Sequence, residues 1–236
     1  MLVKTKAIVI SALRYQEKSL VVRCFTLSDG VKSYFVRSAF SGGKSGSKSA
    51  YFQPLTVLEI EASHKNKGTL ETFREIRLSR GFDTLTTNIV KTSIGLFLSE
   101  VMHHAIREEA ANPALFEFLE TSLEWLDHHD NIANFHLIFL VQMSRYLGFY
   151  PQESNGRYFE MTDGFFSDEP GLSCLNETQT ELLRRLMPLR FSNTDLVFNA
   201  SQRQELLRIL IDYYAIHLDG FRRPKSVDVL REVFSL

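Results

Sequence analysis

With 236 residues, 44% of them hydrophobic and 23% charged, the chain has the composition of a globular protein, which excludes a collagen, a coiled-coil rod and a disordered chain. Its 27 basic and 28 acidic residues nearly cancel, yet residues 1–80 hold 14 Lys or Arg against 6 Asp or Glu, and residues 81–236 hold 13 against 22. This asymmetry predicts two domains, 1–80 and 81–236, the first of which has an anionic partner.

The first 80 residues show the pattern of a small β-barrel. Short runs rich in Val and Ile alternate hydrophobic with polar residues, and turns such as Ser28-Asp29-Gly30 separate them. Pro54 lies near the start of the fourth run, which indicates that this strand begins at an edge or a bulge. Five such strands in 80 residues fit a closed barrel. The predicted strands are 6–13, 19–27, 31–37, 52–62 and 70–78.

Beyond Gly81 the hydrophobic residues recur with the period of helices. The segment 131–147 is hydrophobic nearly all round, which predicts a helix at the centre of the core. In 149–175, Asn155-Gly156 and Asp163-Gly164 flank an aromatic run, which indicates a small hairpin. The predicted fold is therefore α+β, with a β-barrel domain followed by an α-helical domain that carries a hairpin insertion. The predicted helices are 83–111, 113–126, 131–147, 176–187, 201–218 and 226–234.

Gly43-Lys44-Ser45 resembles the end of a phosphate-binding P-loop. The full motif needs a glycine where this chain has Ser38, and a helix must follow, whereas the chain continues with Phe52-Gln53-Pro54. We interpret the segment as a loop between the third and fourth strands, in which Lys44 and Lys48 can reach a phosphodiester backbone. The alternative interpretation, that the chain is an ATP-using enzyme, is supported by Lys44-Ser45 alone.

The other reactive residues show no catalytic or metal-binding pattern. Neighbours on a helix point about 100° apart, so the adjacent histidines at 103–104 and 128–129 cannot clamp one metal ion. Cys24 and Cys174 are too few for a disulfide framework or a cysteine-rich zinc site. We therefore expect no enzyme activity, no cofactor and no metal.

The N-terminus lacks the length and the cleavage site of a signal peptide. No stretch reaches the roughly 18–20 uninterrupted hydrophobic residues of a membrane span. We therefore expect a cytoplasmic protein that does not bind membranes.

The predicted barrel carries cations with aromatic residues between them. Phosphate contacts supply affinity, and exposed rings offer surfaces on which bases stack, so the pattern favours nucleic-acid binding. About half of the rings must instead fill the barrel. The candidate DNA-binding cations are Arg14, Lys18, Arg23, Lys32, Arg37, Lys44 and Lys48. The aromatic residues among them are Tyr15, Phe25, Tyr34, Phe35, Phe40, Tyr51 and Phe52.

Segments at both ends of the chain resemble a known family. Near the N-terminus they are a strand, a turn that contains Arg14, Tyr15, Glu17 and Ser19, two strands joined through Asp29-Gly30, the segment 44–49, and a strand centred on Phe52-Gln53-Pro54. Near the C-terminus they are a helix with Tyr213 or Tyr214, His217 and Leu218, followed by Lys225-Ser226. The chain resembles the bacterial recombination mediator family RecO over most of its length.

The resemblance implies an N-terminal OB-fold and an α-helical domain. It further implies binding to single- and double-stranded DNA, annealing of complementary strands, and cooperation with RecR and the tail of single-stranded-DNA-binding protein to load RecA in the RecF pathway. Many RecO proteins carry four zinc-binding cysteines where this chain has Cys174 alone, so we expect a variant without zinc. Its hairpin would be held by the packing of Tyr158, Phe159, Phe165 and Phe166.

Two interpretations remain open beside this one. Arg222, Arg223 and Lys225 form a second basic patch, which could receive an acidic partner tail, extend the DNA path, or simply end the domain in solvent. The chain could also be a protein-interaction adaptor whose helical domain carries the function and whose barrel only docks partners.

Overall fold

The computed structural model describes residues 1–40, 48–65, 67–107, 110–193 and 197–235. The chain divides into two compact units, Met1–Asp127 and His128–Leu236. Within the described residues, the first unit holds a five-stranded sheet and two α-helices, and the second holds a two-stranded sheet and four α-helices. The predicted domain boundary after residue 80 lies at the end of the large sheet and stays a prediction.

The first sheet is antiparallel, with the strand order β3-β2-β1-β4-β5. The long β1 pairs with β4 along its first half and with β2 along its second half, and a bulge lies between Val9 and Ser11. A bulge bends a strand and increases its twist, so β1 can serve both neighbours in a curved sheet. The strands are β1 (Leu2–Tyr15), β2 (Ser19–Thr26), β3 (Gly30–Val36), β4 (Val57–Ser63) and β5 (Thr72–Arg80).

The two outer strands of this sheet meet and close it into a barrel. Tyr34 of β3 and Glu71, just before β5, form a parallel bridge. The Phe35 N–H donates to the Glu71 carbonyl at 2.9 Å, and the Glu71 N–H donates to the Ser33 carbonyl at 2.8 Å. Five strands closed in this way form the partly open barrel of an OB-fold, which confirms the predicted barrel.

The fourth strand begins later than predicted. Phe52 ends a short 3-10 helix, Lys48–Phe52, and β4 begins only at Val57. Pro54 lies in the turn between them, where the Thr56 N–H donates to the Gln53 carbonyl at 3.2 Å. Because proline has no N–H to donate to a strand ladder, the strand starts after it.

The first helix, α1 (Ile89–Ala105), is shorter than the predicted 83–111. The Asp127 carboxylate accepts hydrogen bonds from the backbone N–H groups of Asp83, Thr84 and Leu85, which holds that segment outside the helix. Asn88 then caps α1, since its side chain accepts from the backbone N–H groups of Val90 and Lys91. The second helix, α2 (Pro113–His128), starts at the predicted proline.

The second unit is built around one buried helix. In α3 (Phe135–Tyr146) nearly every side chain is buried, which confirms the prediction of a core helix. Asn176 and Asn199 begin α4 and α5 with capping boxes, each completed by a glutamine three positions later. These helices are α4 (Glu177–Leu186), α5 (Ala200–His217) and α6 (Val227–Ser235).

The predicted hairpin is confirmed as β6 (Tyr158–Glu160) and β7 (Phe165–Ser167). Of its four rings, Phe159 and Phe166 are buried and pack edge to face at 5.0 Å, whereas Phe165 is exposed. Arg184, which no sequence pattern pointed to, also contacts the hairpin: its guanidinium lies 4.3 Å from the Phe166 ring centroid and donates to the Gly156 carbonyl. Packing on one face, together with this arginine, therefore holds the hairpin.

Candidate nucleic-acid interface

Three of the seven predicted cations lie on the barrel surface. Arg14, Lys18 and Arg37 are exposed. Lys44 lies outside the described residues, and Lys48 is described in its backbone only, as the first residue of the 3-10 helix. Exposed, long cationic side chains are those that can reach a phosphodiester backbone.

Arg23 is engaged with the protein instead. Its guanidinium donates to the carbonyls of His103 and Ile106, at 3.2 and 3.0 Å, where α1 ends. Cations are favourable at helix C-termini because the last carbonyls lack helical partners. Burial lowers the pKa of Arg23, and the nearby charge of Arg107 lowers it further. The side chain therefore ties β2 to α1 and does not join the exposed cations.

Lys32 is also placed away from the exposed cations. It is 7% exposed and lies on the same buried side of β3 as Tyr34 and Val36. Because alternate residues of a strand share a face, Lys32 lies on the side of the strand that faces the core.

The structure separates the aromatic residues of the barrel into two groups. Phe25, Tyr34 and Phe52 are at most 2% exposed. Tyr34 and Phe52 belong to the core of the barrel, whereas Phe25 packs against Phe116 of α2, with ring centroids 5.9 Å apart. Tyr15, Phe40 and Tyr51 are between 39% and 50% exposed, and Phe35 is half-buried. Two of the seven rings therefore fill the barrel, fewer than the predicted half, and the exposed ones are available to a ligand.

A groove of about 640 Å³ opens between β3 and β5, next to the point where these strands pair. We call it the β3–β5 groove. Its charged residues, among the described ones that line it, are Arg37 and Arg74, and its aromatic residues are Phe35, Tyr51 and Phe73. The remaining lining residues are Val36, Thr72 and Ile76. The groove thus combines positive charge with rings.

Sequence reasoning did not include Phe73 or Arg74 in the site. Both belong to β5, more than 30 positions after β3, and they reach the groove because barrel closure brings β5 beside β3. The signal that could have found them is the closure of the barrel, which joins the two outer strands of the sheet, β3 and β5.

Two exposed arginines of the barrel also contact rings. The Arg37 guanidinium carbon lies 6.0 Å from the Phe35 ring centroid, and that of Arg14 lies 5.0 Å from the Phe40 ring centroid. Such contacts orient a guanidinium while its N–H groups can still donate to other acceptors. Arg14 also donates to the Glu17 carbonyl at 3.0 Å.

A second groove of about 300 Å³ crosses β1, β4 and β5, and its charges are balanced. We call it the mixed-charge groove. Its cations form ion pairs: Lys4 with Glu61 at 3.2 Å, Arg77 with Glu75 at 3.2 Å, and Lys6 with Glu120 of α2 at 2.7 Å. Paired cations offer little net charge to an anion, so this surface is a poor candidate for phosphate binding.

The second basic patch lies in the other unit. Arg222, Arg223 and Lys225 are all exposed, in the segment between α5 and α6. Phe221 and Pro224 within the same segment are buried, which anchors the backbone that presents the three cations.

Two negative findings apply to the described ranges only. No group of three or more His, Cys, Asp or Glu side chains in them is arranged to hold a metal ion. No helix in the same part of the chain is both long and apolar enough to cross a bilayer.

Comparison with known proteins identifies the same family over both parts of the chain. The family described as recombination protein O N terminal matches residues 1–82, and that described as recombination protein O C terminal matches residues 86–226. Proteins named DNA repair protein RecO are similar along their whole length: those of Flavobacterium psychrophilum and Flavobacterium johnsoniae are 58% and 57% identical over 238 and 237 residues, covering all of both chains. The protein of that name from Phocaeicola vulgatus is 37% identical over 242 residues, again covering all of both chains.

Proposed function

The chain belongs to the RecO family of DNA repair proteins, and from this premise we propose that it is a recombination mediator that binds single- and double-stranded DNA and anneals complementary strands. The observation that carries the proposal is the β3–β5 groove, where two exposed arginines and three aromatic residues line one cavity of an OB-fold barrel. OB-folds bind nucleic acids by tracking the backbone with cations and stacking bases on rings.

The proposed DNA-binding surface differs from the set that the sequence suggested. Arg23 and Lys32 are left out, because the first holds α1 and the second is buried. Arg74 is added because it lines the groove. The proposed contacts are Arg14, Lys18, Arg37, Lys44, Lys48 and Arg74.

Annealing needs no catalytic residue in this proposal. Cations hold one strand by its phosphates, which screens the repulsion between strands and leaves base edges available to a complementary strand. The protein would act in the cytoplasm, at the nucleoid.

The protein partners belong to the same proposal. We expect RecR, the acidic tail of single-stranded-DNA-binding protein and, indirectly, RecA to be its partners in the RecF pathway. The exposed patch of Arg222, Arg223 and Lys225 supports binding of a carboxylate-rich tail or an extension of the DNA path, by charge complementarity.

The test is a strand-annealing assay combined with a salt titration of DNA binding on the full chain. If about four to six phosphates are neutralised, log affinity should fall with log salt with a slope of roughly −3 to −4 for single strands. An affinity that does not depend on salt would contradict the proposal. Protein-partner binding without any DNA binding would favour the adaptor instead.

A further inference from the structure

The three rings of the β3–β5 groove differ in how much of their surface can meet a ligand. Phe73 stacks on Tyr34, with ring centroids 4.0 Å apart and planes at 16°, and on Phe52, at 5.6 Å and 20°. Both partners belong to the barrel core. Phe73 therefore serves as the floor of the groove and is held by the core.

Phe35 is partly covered as well. Tyr15 contacts it in an edge-to-face arrangement at 5.9 Å, and the Arg37 guanidinium lies 6.0 Å from its centroid. Tyr51 differs from both, since it lies at the exposed side of the 3-10 helix and is 39% exposed. Of the three rings, Tyr51 offers the largest accessible surface to an incoming flat group.

The two arginines reach the groove from different strands. Arg37 follows the end of β3, Arg74 lies in β5, and both are exposed. A nucleotide within a strand presents a flat base with a phosphate on each side of its sugar. Two cations and an exposed ring in one groove are complementary to that unit, whereas an acidic peptide would use the cations and leave the ring without a flat partner.

From this arrangement we infer that the β3–β5 groove binds one unpaired base of a DNA strand, stacked on Tyr51, with the neighbouring phosphates held by Arg37 and Arg74. The inference rests on the proposed DNA binding and adds selectivity to it. Inside a duplex both faces of each base are covered by neighbouring pairs, so along a duplex the Tyr51 ring finds no base face on which to stack. The groove then selects single strands, while the other exposed cations bind phosphates of either form.

The experiment uses the full-length protein and three fluorescent DNA probes of equal length: a single strand, the same strand without bases, and a duplex. The unchanged protein should bind the normal strand about tenfold more tightly than the abasic strand, because one base stack is lost. Tyr51→Ala should bind the normal and abasic strands equally and bind the duplex as before. Tyr51→Phe should keep the preference, since the ring remains.

Tyr146→Ala provides the matched control, because Tyr146 is a similarly exposed tyrosine, 36% exposed, on α3. Circular dichroism of each variant checks that it is folded. Equal binding of normal and abasic strands by the unchanged protein, or a Tyr51→Ala loss of the same size on all three probes, overturns the inference and leaves the proposed DNA binding intact. Failure of all three probes to bind would instead overturn the proposed function.

Discussion

The β3–β5 groove and the mixed-charge groove lie on the same barrel and both contain cations, but those cations contact different groups. Arg37 and Arg74 share their groove with rings. In the mixed-charge groove, Lys4 and Arg77 each form an ion pair with a glutamate at 3.2 Å. Lys6 forms one with Glu120. A count of positive residues along the chain cannot distinguish these surfaces, because anion binding depends on the charge that remains after local pairing.

Removal of three exposed arginines of the proposed DNA-binding surface should give the largest effect. In Arg14→Gln/Arg37→Gln/Arg74→Gln their proposed phosphate contacts are lost, so single-strand affinity should fall about a hundredfold at low salt and the salt slope should become shallower by about 2. Fluorescence anisotropy over a salt series measures both quantities. The matched control is Lys4→Gln/Lys6→Gln/Arg77→Gln, which removes the same charge from the mixed-charge groove and should change the slope by less than about 1. Equal losses in the two variants would contradict the distinction between the grooves.

The sequence allowed the barrel to be predicted because strand alternation and turn chemistry are local. The turn at Asp29-Gly30 is an example, since Gly30 has a φ of 65°, a conformation that glycine adopts easily. The prediction failed at Phe52, because it placed Pro54 at an edge or a bulge within the strand, whereas the proline lies in the turn before β4. Local signals thus fix element types more reliably than element ends.

The site was harder to predict because its members meet through non-local contacts. Arg74 becomes a neighbour of Arg37 only after β3 and β5 pair at Tyr34 and Glu71. Arg23 has the same local pattern as the exposed cations, and its role depends on where α1 ends, some 80 positions later. The sequence pattern pointed to the basic barrel as a candidate region, but it could not tell which cations already have protein partners.

Arg23→Gln tests whether this arginine stabilises the fold and does not bind DNA. It removes two charge-assisted hydrogen bonds to the carbonyls at the end of α1, so the free energy of unfolding should fall by about 2 kcal/mol. The salt slope of DNA binding should not change. Chemical denaturation measures the first quantity and anisotropy the second. Arg37→Gln is the opposite control, with little change in stability and a shallower slope; a shallower slope for Arg23→Gln would return this residue to the DNA-binding surface.

Removal of the acidic partners should make the mixed-charge groove a better anion-binding surface, as we propose for the β3–β5 groove. In Glu59→Gln/Glu61→Gln/Glu75→Gln the carboxylates that line the mixed-charge groove become neutral, and Lys4 and Arg77 lose their acidic partners. We expect DNA affinity at low salt to rise about tenfold and the salt slope to become steeper by about 1. The gain should be the same for single strands and duplexes, because this groove is lined by no ring among its described residues. A gain restricted to single strands would show that rings are not the source of strand selectivity.

The smallest effect is expected for Arg74→Lys, which keeps the charge and changes its shape. If Arg74 acts by neutralising a phosphate, lysine should keep the salt slope and lose less than about threefold in affinity. If Arg74 instead binds the phosphate through two parallel hydrogen bonds, an ammonium cannot replace its planar guanidinium. Affinity should then fall by more than about threefold while the salt slope stays unchanged. Measuring slope and affinity together therefore separates charge from geometry at one position. Arg77→Lys, three positions along the same strand and paired with Glu75, should change neither quantity.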